Sequence, residues 1–271
     1  MKLTHKNFFS FLMLLLVTFH VNAQTKDNIP LKLRVGTYNI GHFNQGRLGG
    51  FQGTGNIVKA ELQNWKNWIG KESLDLFIVN EWNKHFDKDS TYNAENELLK
   101  PFYNNIYFGK ENRWIYNGIA TNYQLKNIRQ VNWSGDYYAV IGDLVIGKKT
   151  ITILSTHIPW QKEWHAPSLD ALIAELKKYE YFICLGDINA FDDAQLKFVK
   201  EGFNMANGGH MGWFTTAGGT MSATGRKGSP NTNIDNIITS KNIKIMNVSA
   251  PFTGLNDLDH LPVLADVVIT W

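Results

Sequence analysis

The sequence predicts an α+β domain in which two sheets pack together and helices lie outside. Three observations point there. Short apolar strands dominate both halves of the chain. Amphipathic helical segments fall between some of them. No linker, internal repeat or low-complexity tract divides the region that follows the N-terminal stretch. With 44% hydrophobic residues, the 271-residue chain can bury a sizeable core.

Taken in order, the chain opens with Lys2 and Lys6, an apolar run from Phe8 to Phe19, and small residues ending at Ala23. This is the three-part pattern of a secretory signal peptide over residues 1–23. The run is shorter than the ~20 apolar residues a membrane-spanning helix requires. No later segment is long and apolar enough to span. The mature chain, 24–271, is therefore expected in a periplasm or outside the cell. Of 27 basic residues, Lys2 and Lys6 leave with the signal, so 25 face 24 acidic ones and the net charge is +1. A strongly basic nucleic-acid footprint is absent. Cys184 is the only cysteine, which excludes an intrachain disulfide, and it sits in an apolar run as a small buried hydrophobe.

The mature elements follow. "LKLRVGTYNI" alternates Leu31, Leu33, Val35 and Thr37 against polar residues, a strand with one buried face. "NIVKAELQNWKNWIG" places Val58, Leu62, Trp65 and Ile69 at helical spacing, with Asn56 as cap and Gly70 as stop. "LDLFIV" and "GIAT" read as short strands. "YYAVIGDLVIGKKTITILST" reads as a hairpin turning at Gly147, Lys148 and Lys149. "SLDALIAELKKY" repeats Leu169, Leu172, Ile173 and Leu176, an amphipathic helix with Asp170 in its first turn and Lys177 and Lys178 in its last. "YFICLG" is a buried strand, and "IDNIITS", "IKIMNVSA" and "VLADVVIT" close the domain. Glycines over 46–55 and 208–228 mark long loops, which within a compact domain are often functional.

Polar residues recur where apolar strands end: Asn39 in "TYNI", Glu81 in "IVNEW", His157 in "STHIP", and Asp187 and Asn189 in "LGDINA". Asp235 lies in "NIDNII", and Asp259 and His260 in "LDHLPV". A strand end is a rigid place to hold a reacting group. The carboxylates among them are hard oxygen donors. No cysteine–histidine cluster suggests structural zinc.

These segments, in this order across nearly all of the mature chain, resemble the endonuclease/exonuclease/phosphatase family of deoxyribonuclease-I-like, metal-dependent phosphoesterases. The resemblance implies a four-layer α/β/β/α sandwich over 24–271 with the site at one end of two packed mixed sheets. It implies a phosphoester substrate (nucleic acid, a lipid headgroup or an inositol phosphate) and Mg2+, with Mn2+ as a possible replacement. No obligate protein partner follows from it. It implies that Glu81 ligates the metal with Asn39 and Asp259, and that Asp187 orients or deprotonates the attacking water. Asn189 donates a hydrogen bond to that water or to the phosphate, and His157 is a further phosphate donor. His260, held by Asp235 and favoured in its protonated form, faces the scissile phosphate. Alternation along an extended backbone puts Asp187 and Asn189 on one side and turns Ile188 into the core. Gly186 lets the backbone approach closely. The family usually carries a serine before the aspartate, where this chain has Leu258. Asp257 is a rival to Asp259, but the adjoining His260 and Pro262 favour Asp259.

The family's phosphate-contacting tyrosine or arginine has no secure counterpart; Tyr116 and Arg113 are candidates. His42, His85, His165 and His210 lie in no motif and read as surface or loop residues. Arg226 and Lys227 read as a solvated turn. "GRLGGFQGTG" lacks the Lys-Ser/Thr ending of a P-loop. Trp65 has the phase of a core residue, whereas Trp160 and Trp164 follow His157 and are placed to flank a cleft. The nine tryptophans also permit a different class of function, a secreted non-catalytic glycan-binding protein on the same sandwich. That reading requires a metal or acid group to be lost, and none is plainly lost.

Overall fold

A computed structural model describes residues 29–43, 50–111, 116–208, 217–221, 232–255 and 258–271. The signal-like segment, Arg113, His210, Arg226, Lys227 and Asp257 lie outside the described residues. One sheet is built on β1 (Leu31–Asn39), which pairs parallel with β2 (Leu76–Asn80) and antiparallel with β14 (Val263–Ile269). β12 (Ile243–Ser249) flanks β14, while β4 (Gly118–Thr121) and β3 (Asn105–Phe108) continue beyond β2. The second sheet runs β5 (Lys126–Asn132), β6 (Tyr138–Ile146), β7 (Lys149–His157), β8 (Phe182–Asp187), β11 (Asp235–Thr239) and β9 (Asn204–Met205). β7 and β8 are parallel and the other pairs antiparallel. A ribbon of β10 (Ala217–Met221) and β13 (Leu258–His260) completes the strands. The predicted hairpin forms and turns at Gly147 and Lys148, whereas Lys149, expected in the turn, opens β7 opposite Ile146.

Three apolar layers hold the sandwich. Leu33, Val35, Leu76 and Ile78 face Val140, Ile153, Ile183 and Leu185 between the sheets. The intervening residues Tyr38, Phe77 and Val79 point outward and pack under α1 (Gly55–Glu72) against Val58, Leu62, Trp65, Trp68 and Ile69. On the other side Leu154, Cys184 and Ile238 pack under α2 (Lys162–Leu176) and α3 (Asp192–Lys200). Period-two alternation thus feeds two cores from one strand. β1, expected to bury one face, buries both along its second half for this reason. Each fully buried large apolar side chain contributes roughly 1.5–3 kcal/mol, against about 0–1 kcal/mol for a surface ion pair. Apolar layering, rather than pairs such as Lys177–Glu201, therefore holds the layers together.

Helix ends differ from expectation. The N-cap of α1 is Thr54, not Asn56, and the helix passes Gly70 to stop at Ser73, which takes a left-handed conformation (φ 49°). α2 starts at Lys162, so Asp170 lies mid-helix, and Lys177 and Lys178 follow its end. Among the described residues, no helix is long and apolar enough to cross a membrane.

Candidate active site

β1 and β2 run parallel with Asn39 beside Asn80, so both strands deliver their ends to one edge. Beyond that edge both chains turn sharply. Gly41, His42 and Phe43 have φ of 49°, 55° and 70°, and Glu81 has φ of 52°. The His42 amide donates to the Glu81 carbonyl at 2.8 Å, tying the turns together. Asn39 Nδ2 donates to Glu81 Oε1 at 3.2 Å and to Asp187 Oδ2 at 3.0 Å, while Asn39 Oδ1 accepts from the Gly41 amide at 3.1 Å. The first sheet's amide therefore bridges the carboxylates of both sheets.

On the second sheet the register aligns His157 with Asp187 and Asp187 with Asp235, three groups in a row across adjacent strands. Gly186 sits at φ 150°, and a Cβ there would lie 1.8 Å from the Thr156 carbonyl oxygen, so the close approach expected of it is present. Asn189 reaches the site by a route that alternation does not predict. It is not extended but left-handed (φ 48°), and its amide donates to Asp187 Oδ1 at 2.8 Å. A short side chain that bonds to local backbone tolerates that conformation. Its Nδ2 donates to the Ile158 carbonyl at 2.9 Å and lies 3.3 Å from His157 Nε2. Ile188 is buried as expected.

His260 enters from β13. Its Nδ1 lies 2.8 Å from Asp235 Oδ2 and its Nε2 3.9 Å from Asp187 Oδ2. His157 Nε2 is 3.5 Å from Asp187 Oδ2 and 3.9 Å from Glu81 Oε1. Asn39, Glu81, His157, Asp187, Asn189, Asp235 and His260 thus form one constellation. Asp259 is half-buried beside His260. Among the described residues no hydrogen bond or ion pair joins it to Asn39 or Glu81, and its charge reaches Glu81 and His260 through space. Tyr116 is not brought into the constellation; its ring stacks on Phe108 at 4.4 Å. Trp160 and Phe191, 66% and 67% exposed, follow the ends of β7 and β8 in the chain.

Burial governs the electrostatics. It pushes Glu81 up to about 7, against the opposing effects of the His260 charge and the Asn39 hydrogen bond. Burial and the neighbouring Asp235 raise Asp187 as well. Burial lowers His42 to about 4 and, with the His260 and His42 charges, lowers His157 to about 3, so both are neutral at pH 7. His260 is the exception. Burial alone would lower it, but Asp235, Asp187 and Asp259 outweigh burial and raise it well above the usual imidazole value. One cationic ring therefore stands among neutral ones, as expected from Asp235.

Acid groups gathered without lysine or arginine suit a cation. Among the described residues, no lysine or arginine pairs with Glu81 or Asp187. Asp187, Asp235 and His260 offer ligand atoms within 4.8 Å of one another. However, His260 Nδ1 is engaged by Asp235 and the ring is charged, so this trio fits proton handling better than metal ligation. Glu81, whose burial raises it and whose neighbours Asn39, His42 and His157 are neutral, is the carboxylate that fits a divalent ion.

Several supporting residues have no role predicted from sequence, although Asn80 lies in "IVNEW" and Asn236 in "NIDNII". Asn80 Oδ1 accepts from the Asp187 amide at 3.0 Å, and its Nδ2 donates to the Thr156 carbonyl at 3.0 Å and to Asn117 Oδ1 at 3.1 Å. This joins the two sheets directly behind the site. Gln195 Nε2 donates to the Ala190 and Asn233 carbonyls at 2.7 Å each, and Asn236 Nδ2 donates to Gln195 Oε1. His165, expected as a surface or loop residue, is half-buried in α2. His42 is likewise buried rather than exposed, with Nε2 3.6 Å from Glu81 Oε2. The only sequence signal for Asn80 and His42 is their nearness to Glu81 and Asn39.

No curated protein sequence matches the chain. Solved structures share its fold. An endonuclease/exonuclease/phosphatase from Beutenbergia cavernae has a TM-score of 0.65 at 16% identity, covering 88% of this chain and 72% of that one. ANGEL2, a 2',3'-cyclic phosphatase in complex with adenosine-2',3'-vanadate, has a TM-score of 0.65 at 14% identity over 90% and 99%. Truncated Caenorhabditis elegans TDP2 has a TM-score of 0.59 at 15% identity over 88% and 97%. Residues 36–260 match the Endonuclease/Exonuclease/phosphatase family as a sequence family, a span that includes every member of the constellation. With its two-sheet sandwich, buried acid–imidazole site and this match, the chain belongs to the Endonuclease/Exonuclease/phosphatase family of metal-dependent phosphoesterases.

Proposed function

We propose that the protein hydrolyses phosphodiester bonds with a divalent cation, Mg2+ or Mn2+, held by Glu81 with Asn39 and Asp259. The observation that carries this reading is the meeting of Asn39 and Glu81, from one sheet, with His157, Asp187 and Asn189, from the other, beside the His260–Asp235 pair. When bound, the cation supplies charge neutralisation at the phosphoryl and leaving oxygens.

The chain's own groups supply the rest. Asp187, raised by burial, is a better base than an exposed aspartate, and Asn39 and the Asn189 amide hold its carboxylate still. It takes a proton from the attacking water, whose oxygen bonds to phosphorus as the bond to the leaving oxygen breaks. Asn189 Nδ2 and neutral His157 are donors for a phosphoryl oxygen, where a second carboxylate would repel it. Protonated His260, 3.9 Å from Asp187, is placed to bind the phosphate or hand a proton to the leaving oxygen.

Candidate substrates are nucleic acid, a lipid headgroup diester or an inositol phosphate. A panel of plasmid DNA, RNA, sphingomyelin, inositol phosphates and a monoester separates them. Turnover of bis-p-nitrophenyl phosphate should vanish with chelator and return with Mg2+ or Mn2+. Asp187→Ala and His260→Ala should each lose on the order of 10²–10⁴-fold in kcat with an unchanged fold. Rates near wild type in either variant would remove that residue from the mechanism. We also propose export, from the signal-like residues 1–23. N-terminal sequencing of the exported protein should begin at Gln24; an intact Met1 terminus would contradict it.

A further inference from the structure

We infer that His42 contributes an imidazole nitrogen to the cation site at Glu81, making it a mixed oxygen–nitrogen site that selects Mn2+ over Mg2+. This rests on the reading of Glu81 as the metal carboxylate and specifies which ion it prefers. No sequence motif marks His42, which follows the strand-end Asn39 by three residues.

Geometry comes first. His42 Nε2 lies 3.6 Å from Glu81 Oε2. That is too long for a hydrogen bond. Two ligand atoms each bonded to one small cation at about 2.1 Å can stand up to ~4.2 Å apart. The gap is therefore one that an ion can bridge and a proton does not close. The opposite carboxylate oxygen is already addressed, by Asn39 Nδ2 at 3.2 Å and His157 Nε2 at 3.9 Å. His157 Nε2 in turn sits among Asn189 and Asp187 at 3.3 and 3.5 Å. His42 is thus the imidazole that faces Oε2.

The backbone is built to hold the pair. His42 and Glu81 are both left-handed, a conformation that a non-glycine residue keeps only when its surroundings enforce it. They are also hydrogen-bonded to each other, His42 amide to Glu81 carbonyl, at 2.8 Å. The next residue, Phe43, is clasped edge-on by Trp65 and Trp82, with ring centroids at 5.3 and 5.0 Å, and by Phe86 at 5.1 Å. His42 is 2% exposed. An imidazole fixed against a ligating carboxylate distinguishes ions. Mg2+ is served by oxygen, whereas first-row transition ions gain affinity from nitrogen.

The test is cation binding by the metal-stripped full-length protein, read by titration calorimetry with MgCl2 and MnCl2. Pulsed electron paramagnetic resonance of the Mn2+-loaded protein supplies a readout independent of turnover. The wild type should bind Mn2+ at least ~10-fold more tightly than Mg2+ and show nitrogen coupling at the metal. His42→Ala should lose ~10–100-fold in Mn2+ affinity, with a smaller loss for Mg2+ and a weaker nitrogen signal. His42→Asn, which tolerates the left-handed backbone, should behave alike and carries the comparison if the alanine variant misfolds. Equal Mn2+ affinity and identical nitrogen coupling in wild type and variants would overturn the inference while leaving the phosphoesterase reading intact. A wild type with Mn2+ bound and no nitrogen coupling overturns it without any variant. A wild type that binds neither ion sinks the metal-site reading and this inference together.

Discussion

Asp235 is fully buried, and one of its carboxylate oxygens lies 2.8 Å from the His260 ring. Replacing it with asparagine keeps the shape and removes the charge that outweighs burial at His260. Asp235→Asn should lower kcat by roughly 10²–10⁴-fold, and it should also move the alkaline limb of the kcat/KM profile to lower pH, because His260 then loses its proton sooner. A merely structural role for Asp235 would reduce activity without moving that limb. Asn189 shows a different economy of position. Its left-handed turn lets one residue cap Asp187 with its backbone amide and present its carboxamide beside His157.

At the level of elements, β7 and β8 set the spacing of the second-sheet groups. They can approach as they do only because residue 186 lacks a side chain. Gly186→Ala would place a methyl 1.8 Å from the Thr156 oxygen. Backbone, not a flexible side chain, would have to yield, so the cost should be on the order of 3 kcal/mol or more. Thermal unfolding checks this; a variant within a degree of wild type would show that the strands separate freely. Most strands are legible in the sequence because each carries an unbroken apolar run or a period-two pattern, as in "YFICLG". The site is legible because its members sit at strand ends in a family order. β3 and β5 are not, because their exposed or half-buried positions carry no alternating apolar signal. Nor is α3, whose fully buried side chains among the described residues are Gln195 and Phe198. For Asn189 the sequence points to the correct neighbourhood through an extended geometry that the chain does not adopt, since alternation cannot foresee a left-handed residue. Gln195 acts through long-range contacts with backbone that no local pattern announces, and although Asn80 lies in "IVNEW", that motif points to its neighbour Glu81 and not to the bonds Asn80 makes across the sheets.

For the whole molecule, five buried groups of the site are shifted, in two directions. Glu81, Asp187 and His260 have raised values. Such groups stabilise below their unfolded values and lose that contribution as pH rises through the folded ones. His42 and His157 have lowered values, so their contribution is present above the ordinary imidazole value and fades as pH falls. Below about pH 6.5 the two sets oppose each other. Above it only the raised groups still change. The cation-free protein should therefore lose stability between about pH 6.5 and 8. With a cation present, the gain in Tm should be greater at about pH 8 than at about pH 6, because the ligating carboxyl must first shed its proton. A tenfold difference in proton affinity between the folded and unfolded chain is worth about 1.4 kcal/mol. Each kcal/mol moves Tm by roughly 2–4 °C at this size, well within calorimetric reach. A cation-free Tm that stays level across that range would contradict the assignment of Glu81.

Asn39 and Glu81 ride on one sheet, and His157, Asp187 and Asp235 on the other. The gap between these two halves is fixed by the side chains filling the seam, among them Val35, Ile78, Ile153, Leu185 and Ala265. Interiors packed this tightly do not absorb a change in volume silently. A methyl group gained or lost along the seam alters the reach of every pair that spans it, however far away the phosphorus lies. The thickness of the sandwich is therefore itself a catalytic dimension, and Asn80, bonded to both slabs, is the gauge that keeps it.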